Sequence, residues 1–418
     1  MTIMLSNDPL QTQDRLRLTR RIGTFAAGIL ICSLILQRFA IPVGENGVDV
    51  VFPIGFLLAA VAMLQGALTF HRGRLIVFVM FTVWLLIGAG VQALVPNSYA
   101  VNTSLNSMLQ FLLVTSFCTL SFAVPVDEGR FLRRAGTILL LIAIAGILQF
   151  FAQIIGLSLF TFTVFMPARL LFESGYNLVI PSGIGSLMKS NGLFLLEPSI
   201  FSQAMAMALI LEILVARRTV YLALFMLALL LSFSGTGWII LASFLLTVGL
   251  TQGSRGLVIV LAGGAALLLL VGGLVILAPE VTQVFANRLG EVNQVGTSGY
   301  LRFVTPFLLL HTVFSANDWA WLTGIGAGVA ERIDLPFAFG VNTPVKIVVE
   351  YGVPGLLLYL ALILKAERSR IQRTLVLPSM AFLLITGGYQ EFAPVLFPVF
   401  LLICVARFTP GTEADEAI

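Results

Sequence analysis

The sequence predicts an all-α polytopic membrane protein. Fifty-eight per cent of its 418 residues are hydrophobic and only 11% are charged, far from the balance of a soluble domain. Its apolar stretches reach about 20 residues, enough for a helix to cross a ~30 Å hydrocarbon core. Trains of short alternating strands, the mark of an outer-membrane barrel, are absent from the sequence. The net charge of +4 comes from arginines set between apolar stretches, which fits membrane orientation and gives no reason to expect nucleic acid.

Arg15, Arg17, Arg20 and Arg21 precede an apolar run from Ile22 to about Ala40. That run is long, and residues 42–50 offer no small-x-small cleavage site, so an uncleaved first helix is expected after a cytoplasmic segment 1–21. Further spans are expected at about 51–70, 75–95, 107–124, 135–157, 198–216, 219–233, 238–251, 257–278, 344–364, 374–390 and 393–408, which makes about 12. The two spans flanking 234–237 are short and also fit a hairpin or broken pair. Of the 24 Lys and Arg, 17 fall on the side of the N-terminus and 7 on the other. By the positive-inside rule, an even span count with this bias puts both termini in the cytoplasm. Residues 22–408 read as one transmembrane domain, and the acidic segment 409–418 as a disordered cytoplasmic tail. An inverted repeat of the transporter kind is the alternative to one domain with two elaborated loops.

Cys32, Cys118 and Cys404 lie in apolar segments without paired spacing, and read as small buried hydrophobes. Two histidines are too few for a multi-histidine metal site, and neither a metal nor a cofactor is expected.

Two long polar loops, about 158–197 and 279–344, interrupt the apolar pattern on the face where basic residues are disfavoured. Arg169, Lys189, Arg288, Arg302, Arg332 and Lys346 lie in them or just inside the following helix, which points to an anionic ligand such as a phosphate or diphosphate. The first loop ends in Lys189-Ser190-Asn191-Gly192-Leu193-Phe194-Leu195-Leu196-Glu197-Pro198-Ser199. Pro198 suits the first turn of a helix, which places Glu197 at the N-cap. Glu197 then serves either as a simple cap or as the partner of a nearby cation.

In the second loop, the run from Gly299 to His311 reads as an amphipathic or re-entrant helix, with Arg302 its only full charge. Arg302 is either a snorkelling interfacial arginine or a guanidinium aimed at phosphate oxygens. His311, nine residues on, faces away from Arg302 unless Pro306 kinks the helix, so it reads first as an interface residue. Gly324, Gly326 and Gly328 alternate without a preceding strand or a following Gly-Lys-Ser/Thr, which argues for close backbone approach over a P-loop. Pro344 opens a helix on which Asn342, Lys346 and Glu350 fall at i, i+4 and i+8. That stripe is either a self-neutralising packing feature or part of a site.

Together these strings resemble the O-antigen polymerase and ligase family of bacterial envelope glycan assembly. The similar pieces are Asn191-Gly192-Leu193-Phe194 with Glu197-Pro198-Ser199; Ser232-Phe233-Ser234-Gly235-Thr236-Gly237; Arg302 followed by Gly324-Ile325-Gly326; and Asn342 with Glu350-Tyr351-Gly352-Val353-Pro354-Gly355. They span about residues 185–365 in the family's order. Two positions depart from ligase-like members: Gly235 stands where they often carry Arg, and Val341 where they often carry His.

The resemblance implies a GT-C-like architecture in the bacterial inner membrane and a polymerase joining undecaprenyl-diphosphate-linked oligosaccharide units at the periplasmic face. Arg302, Glu197 and Glu350 are the implied catalytic residues, and Lys189, Asn342, Lys346 and His311 candidates for binding diphosphate or glycan. Membrane lipids, a flippase and a chain-length regulator are the implied partners. An O-antigen ligase or other lipid-linked glycosyltransferase is the nearest alternative, kept open by Glu45 and Asp49 in the first outer loop. A transporter without catalysis is the second alternative.

Overall fold

The computed structural model describes residues 9–42, 48–95, 97–99, 101–157, 166–171, 180–251, 290–337, 339–365, 368–385 and 392–409, with isolated positions between 253 and 283. Glu45, Arg255, Arg288, most of the span expected at 257–278 and the tail from 410 lie outside the described residues.

The protein is an α-helical membrane protein. Among the described residues, five helices are long and apolar enough to cross a bilayer: α1 (Pro9–Ile35), α3 (Arg72–Leu94), α5 (Glu128–Ala152), α6 (Pro198–Leu211, prolonged by the π-helical turn Glu212–Ala216) and α12 (Thr343–Leu364). Between them come the shorter apolar helices α2 (Val51–Leu64), α4 (Leu105–Ser116), α7 (Thr219–Leu231) and α8 (Thr236–Thr251). The second loop carries α9 (Ser298–Phe303), α10 (Thr305–Ala316) and α11 (Ala320–Thr323). The chain closes with α13 (Arg370–Ile385) and α14 (Phe392–Val395), which continues as a π-helix over Leu396–Val405.

Helix α1 starts well before the apolar run, because its largely exposed, charged turns at 13–21 continue the same helix outward. The spans expected at 51–70 and 107–124 do not stay helical to their ends. Gly66, at φ 71°, ends α2, and Leu68–Phe70 (β1) pairs antiparallel with Leu120–Phe122 (β2). Glycine takes that left-handed conformation without a steric penalty, so it stops a helix that hydropathy alone would prolong. Arg74 lies buried against this small sheet and donates to the carbonyl oxygens of Leu120, at 3.0 Å, and Cys404. Cys32, Cys118 and Cys404 are free thiols, the last two buried.

Helix α6 is the centre of the bundle. Every residue from Pro198 to Leu211 is buried, whereas only 22% of the apolar window of α3 is. A helix apolar on all sides belongs in such a position. Helices α5, α7 and α8 pack around it. Close approach rests on small residues: a Cβ at Gly237 of α8 would stand 2.5 Å from the Ser202 carbonyl oxygen, and one at Gly146 of α5 would strike the Phe201 ring. At its far end, buried Glu212 takes two bonds from the Arg218 guanidinium, at 2.8 and 2.7 Å, and Arg218 lies over the Tyr221 ring. This arginine of the basic face thus has a structural duty.

Candidate functional site

The first long loop is held at its exit by α5. Gln149, a lone buried amide in that apolar helix, donates to Asn191 Oδ1 at 2.8 Å and accepts from the Asn191 and Leu193 amides and the Ser190 hydroxyl. Arg38, at the end of the first span, donates to the Leu193 carbonyl oxygen at 3.0 Å. The Ser190 amide bonds to the Leu231 carbonyl oxygen, which docks the same strand of chain beside the turn between α7 and α8. These contacts deliver Glu197 to the head of α6.

Glu197 is the N-cap of α6 by backbone position, and Pro198 follows in the first turn as expected. Its side chain, however, makes no capping bond. The carboxylate instead accepts from the Ser199 hydroxyl and forms an ion pair with Arg302, Nη2 to Oε1 2.8 Å. The reading of Glu197 as a mere cap therefore fails. So does the picture of Arg302 as a lone snorkelling residue. The pair joins the two long loops across 105 positions of sequence.

Arg302 is placed by a short, locally braced helix. Thr297 caps α9 through its hydroxyl, and Gly299 lies against Glu291 and Val292, where a Cβ would come within 3.1 Å. The chain then breaks at Val304, and Thr305 Oγ1 ties α10 back to Leu301 at 2.9 Å. Gly340, just before α12, donates its amide to the same Thr305 hydroxyl at 2.9 Å. Both described bonds of the Arg302 guanidinium use Nη2, to Glu197 and, at 3.4 Å, to Ser199. Its remaining N–H groups have no described protein acceptor, and the side chain keeps 26% exposure. A planar fork with free donors, held in place through one nitrogen, is suited to phosphate oxygens.

Hydroxyls extend the site behind this pair. The Ser199 carbonyl oxygen accepts from Ser202 and Thr236, both at 3.0 Å, and Thr236 is bonded in turn to Ser202 and Ser234. The serine-rich turn of the sequence is thus clamped to the first turn of α6.

A second ion pair belongs to α12. Lys346, wholly buried, pairs with Glu331 from the glycine-rich loop, whose side chain is about half exposed. Its helix begins at Asn342, whose Oδ1 caps the Val345 amide at 3.1 Å, so that oxygen has a structural use. Helix α12 is broken at Gly352, where φ is 75° and ψ 176°. The carbonyl oxygens released near the break are taken up individually: Val349 by the Ile325 amide at 2.8 Å, Glu350 by the Gly326 amide at 3.3 Å, and Tyr351 by Trp84 Nε1 at 3.0 Å. Gly324 and Gly352 are the close-approach points, since a Cβ on either would overlap the opposite backbone. The amides of Ile325 and Gly326 thus serve a broken helix and are not left to cradle an anion.

The remaining candidates are more dispersed. Glu350 is wholly buried just before the break. Lys189 is 95% buried, and among the described residues its ammonium has no ion-pair or hydrogen-bond partner. His311 is exposed on α10, beyond the break that Pro306 follows, and no described contact joins it to Arg302. Arg332 donates to the carbonyl oxygens of Gly328 and Asn102, so it fastens the second loop to the segment before α4. Arg169 is exposed.

Asp49 accepts from the Val51 amide at 2.8 Å and from the Ala393 backbone, and burial pushes its carboxyl up to about 7. Its oxygens are thus engaged in holding α2 and α14 together. Because the folded form keeps its proton over pH values where the unfolded chain has lost it, Asp49 favours the folded state most below about pH 4. That contribution is lost as pH rises through 7. The melting temperature in detergent is expected to fall between pH 5 and 8, with a smaller fall in Asp49→Asn; equal slopes would exclude this origin.

Gln149, Arg38, Glu331 and Ser202 were not singled out by sequence reasoning, and Thr236 was named only within the serine-rich turn. Gln149 alone carried a usable signal, as an amide in an otherwise apolar span. No family model matches the chain, and no curated protein or solved structure matches it.

Proposed function

We propose that this protein is a polysaccharide polymerase that joins undecaprenyl-diphosphate-linked oligosaccharide units at the periplasmic face of the bacterial inner membrane. The observation that carries this reading is the Arg302–Glu197 pair, a guanidinium with free donors held against a carboxylate at the head of a buried helix. About twelve spans in a GT-C-like arrangement, with both termini cytoplasmic, belong to the same reading. So do a flippase that supplies the lipid-linked unit and a chain-length regulator that limits the product.

In this mechanism an acceptor hydroxyl attacks the anomeric carbon of the donor sugar. The new C–O bond forms as the bond to the diphosphate breaks, and the diphosphate leaves with the electron pair. Arg302 meets the growing charge on the leaving oxygens, which is the use of a prepositioned cation that lowers a barrier most. The hydroxyl proton passes to a carboxylate. Glu197 is the better placed of the two candidates, because it is partly exposed beside Arg302 whereas Glu350 is wholly buried. Lys189 is the candidate second cation for the diphosphate.

One observation favours a different reading. A broken helix carrying buried Lys346 and Glu350 is also how transporters build ion and substrate sites. Purified protein in nanodiscs, supplied with a lipid-diphosphate-linked repeat unit, separates the possibilities. A ladder of product lengths is expected. Transfer of a single unit to a lipid acceptor would mean a ligase, and movement of the lipid without any new bond a transporter.

A further inference from the structure

A cavity of about 250 Å³ opens at the opposite end of the molecule from the Arg302–Glu197 pair, between α1, α5 and α14. Arg20, Arg130 and Arg134 line its mouth. Its walls are apolar, with Ala26 and Ala27 of α1 facing Ile138 of α5 and Phe397 and Leu401 of the last helix. The positive-inside rule accounts for arginines at this end, but it does not account for a void beneath them.

Four details bear on what it could hold. Arg134 Nη1 lies close over α1 at Gly23, where a Cβ would stand 3.1 Å away. Among the described residues, neither Arg20 nor Arg134 has an ion-pair or hydrogen-bond partner for its guanidinium. The one acidic residue at the mouth, Asp127, is already engaged: it caps the Arg130 amide and lies 3.8 Å from the Arg130 guanidinium. The small residues Gly23, Ala26 and Ala27 leave one flank of α1 without bulk just where the apolar span begins.

We propose that this cleft binds an anionic glycerophospholipid of the cytoplasmic leaflet, with its phosphate between Arg20 and Arg134 and one acyl chain laid over Ala27 towards Phe397. A soluble phosphate compound would satisfy the arginines but leave the apolar wall wet. A neutral lipid would cover the wall but bring no charge partner to the two exposed guanidiniums. Only an amphiphile with a negative head matches both ends of the cavity.

The test uses the full-length protein, delipidated in detergent and titrated with phosphatidylglycerol or phosphatidylcholine of the same acyl chains, with bound lipid counted by native mass spectrometry. Phosphatidylglycerol is expected to be preferred by on the order of 30-fold, about fivefold for each of two arginines. The Arg20→Gln, Arg134→Gln double variant should lose that preference. Ala27→Phe fills the groove without altering charge, and should reduce binding of phosphatidylglycerol as well. Equal retention of the two lipids by the wild type overturns the proposal. Wild-type binding in either variant does so too, as does displacement of phosphatidylglycerol by inorganic phosphate.

Discussion

Arg302→Ala is expected to abolish polymer while leaving the protein in the membrane at its normal level. Among the described residues the guanidinium alone joins the two long loops through an ion pair, and under the proposed mechanism it also meets the charge of the departing diphosphate. Loss of one prepositioned donor of this kind lowers a rate by about 10²–10³-fold, enough to remove polymer from a gel. Arg302→Lys keeps the charge and gives up the planar fork, so a partial loss with shorter chains is expected. The exchange Glu197→Arg with Arg302→Glu separates structure from chemistry. It restores an ion pair between the loops, and therefore stability, but puts the cation on the wrong element for the leaving group. Normal-length polymer from Arg302→Ala, or from the exchanged protein, would reject the role.

Gly352→Ala should be the most damaging single methyl in the molecule. The backbone there sits in a region that only glycine visits readily, and the new Cβ would overlap the Leu322 carbonyl. Strain and overpacking together are worth roughly 2–6 kcal/mol, which is a large part of the stability of an ordinary domain. Thermal unfolding in detergent is the measurement, with Gly90→Ala as the control. Gly90 lies on the exposed side of α3, and a Cβ added to it meets nothing within 4 Å. If the two variants melt alike, the tight seam between α12 and the glycine loop does not carry the stability assigned to it.

The α-helical membrane class was legible from composition and the length of apolar runs, because both follow from the solvent the chain must satisfy. The chemical character of Glu197 and Arg302 was legible too, since a charge at the lip of an apolar helix has few uses. Their pairing was not. It depends on Gln149 and Arg38 fixing one loop and on Thr297 and Thr305 fixing the other, and of these only Gln149 stood out in the sequence, without any sign of its partners. Lys346 illustrates the same limit. Its spacing pointed to Glu350 one turn on, and nothing local marked its ion pair with Glu331, fifteen positions back. The short sheet between Leu68–Phe70 and Leu120–Phe122 was hidden for another reason. Its residues are as apolar as the helices they follow, so only Gly66 marked the change. The glycine triplet was read correctly as a point of close approach, but what it approaches is a helix that has come apart.

That seam bears on which parts of the second loop can move. Pulling the glycine loop away from α12 would strip the Val349 and Glu350 carbonyls of their donors, and in an apolar surround each loss is expensive. The loop is in effect fixed to the helix. The six-residue helix that carries Arg302 meets its neighbour at the break at Val304 and is tied to it by the Thr305 hydroxyl, so under the proposed function any opening on that side would move the reactive cation itself.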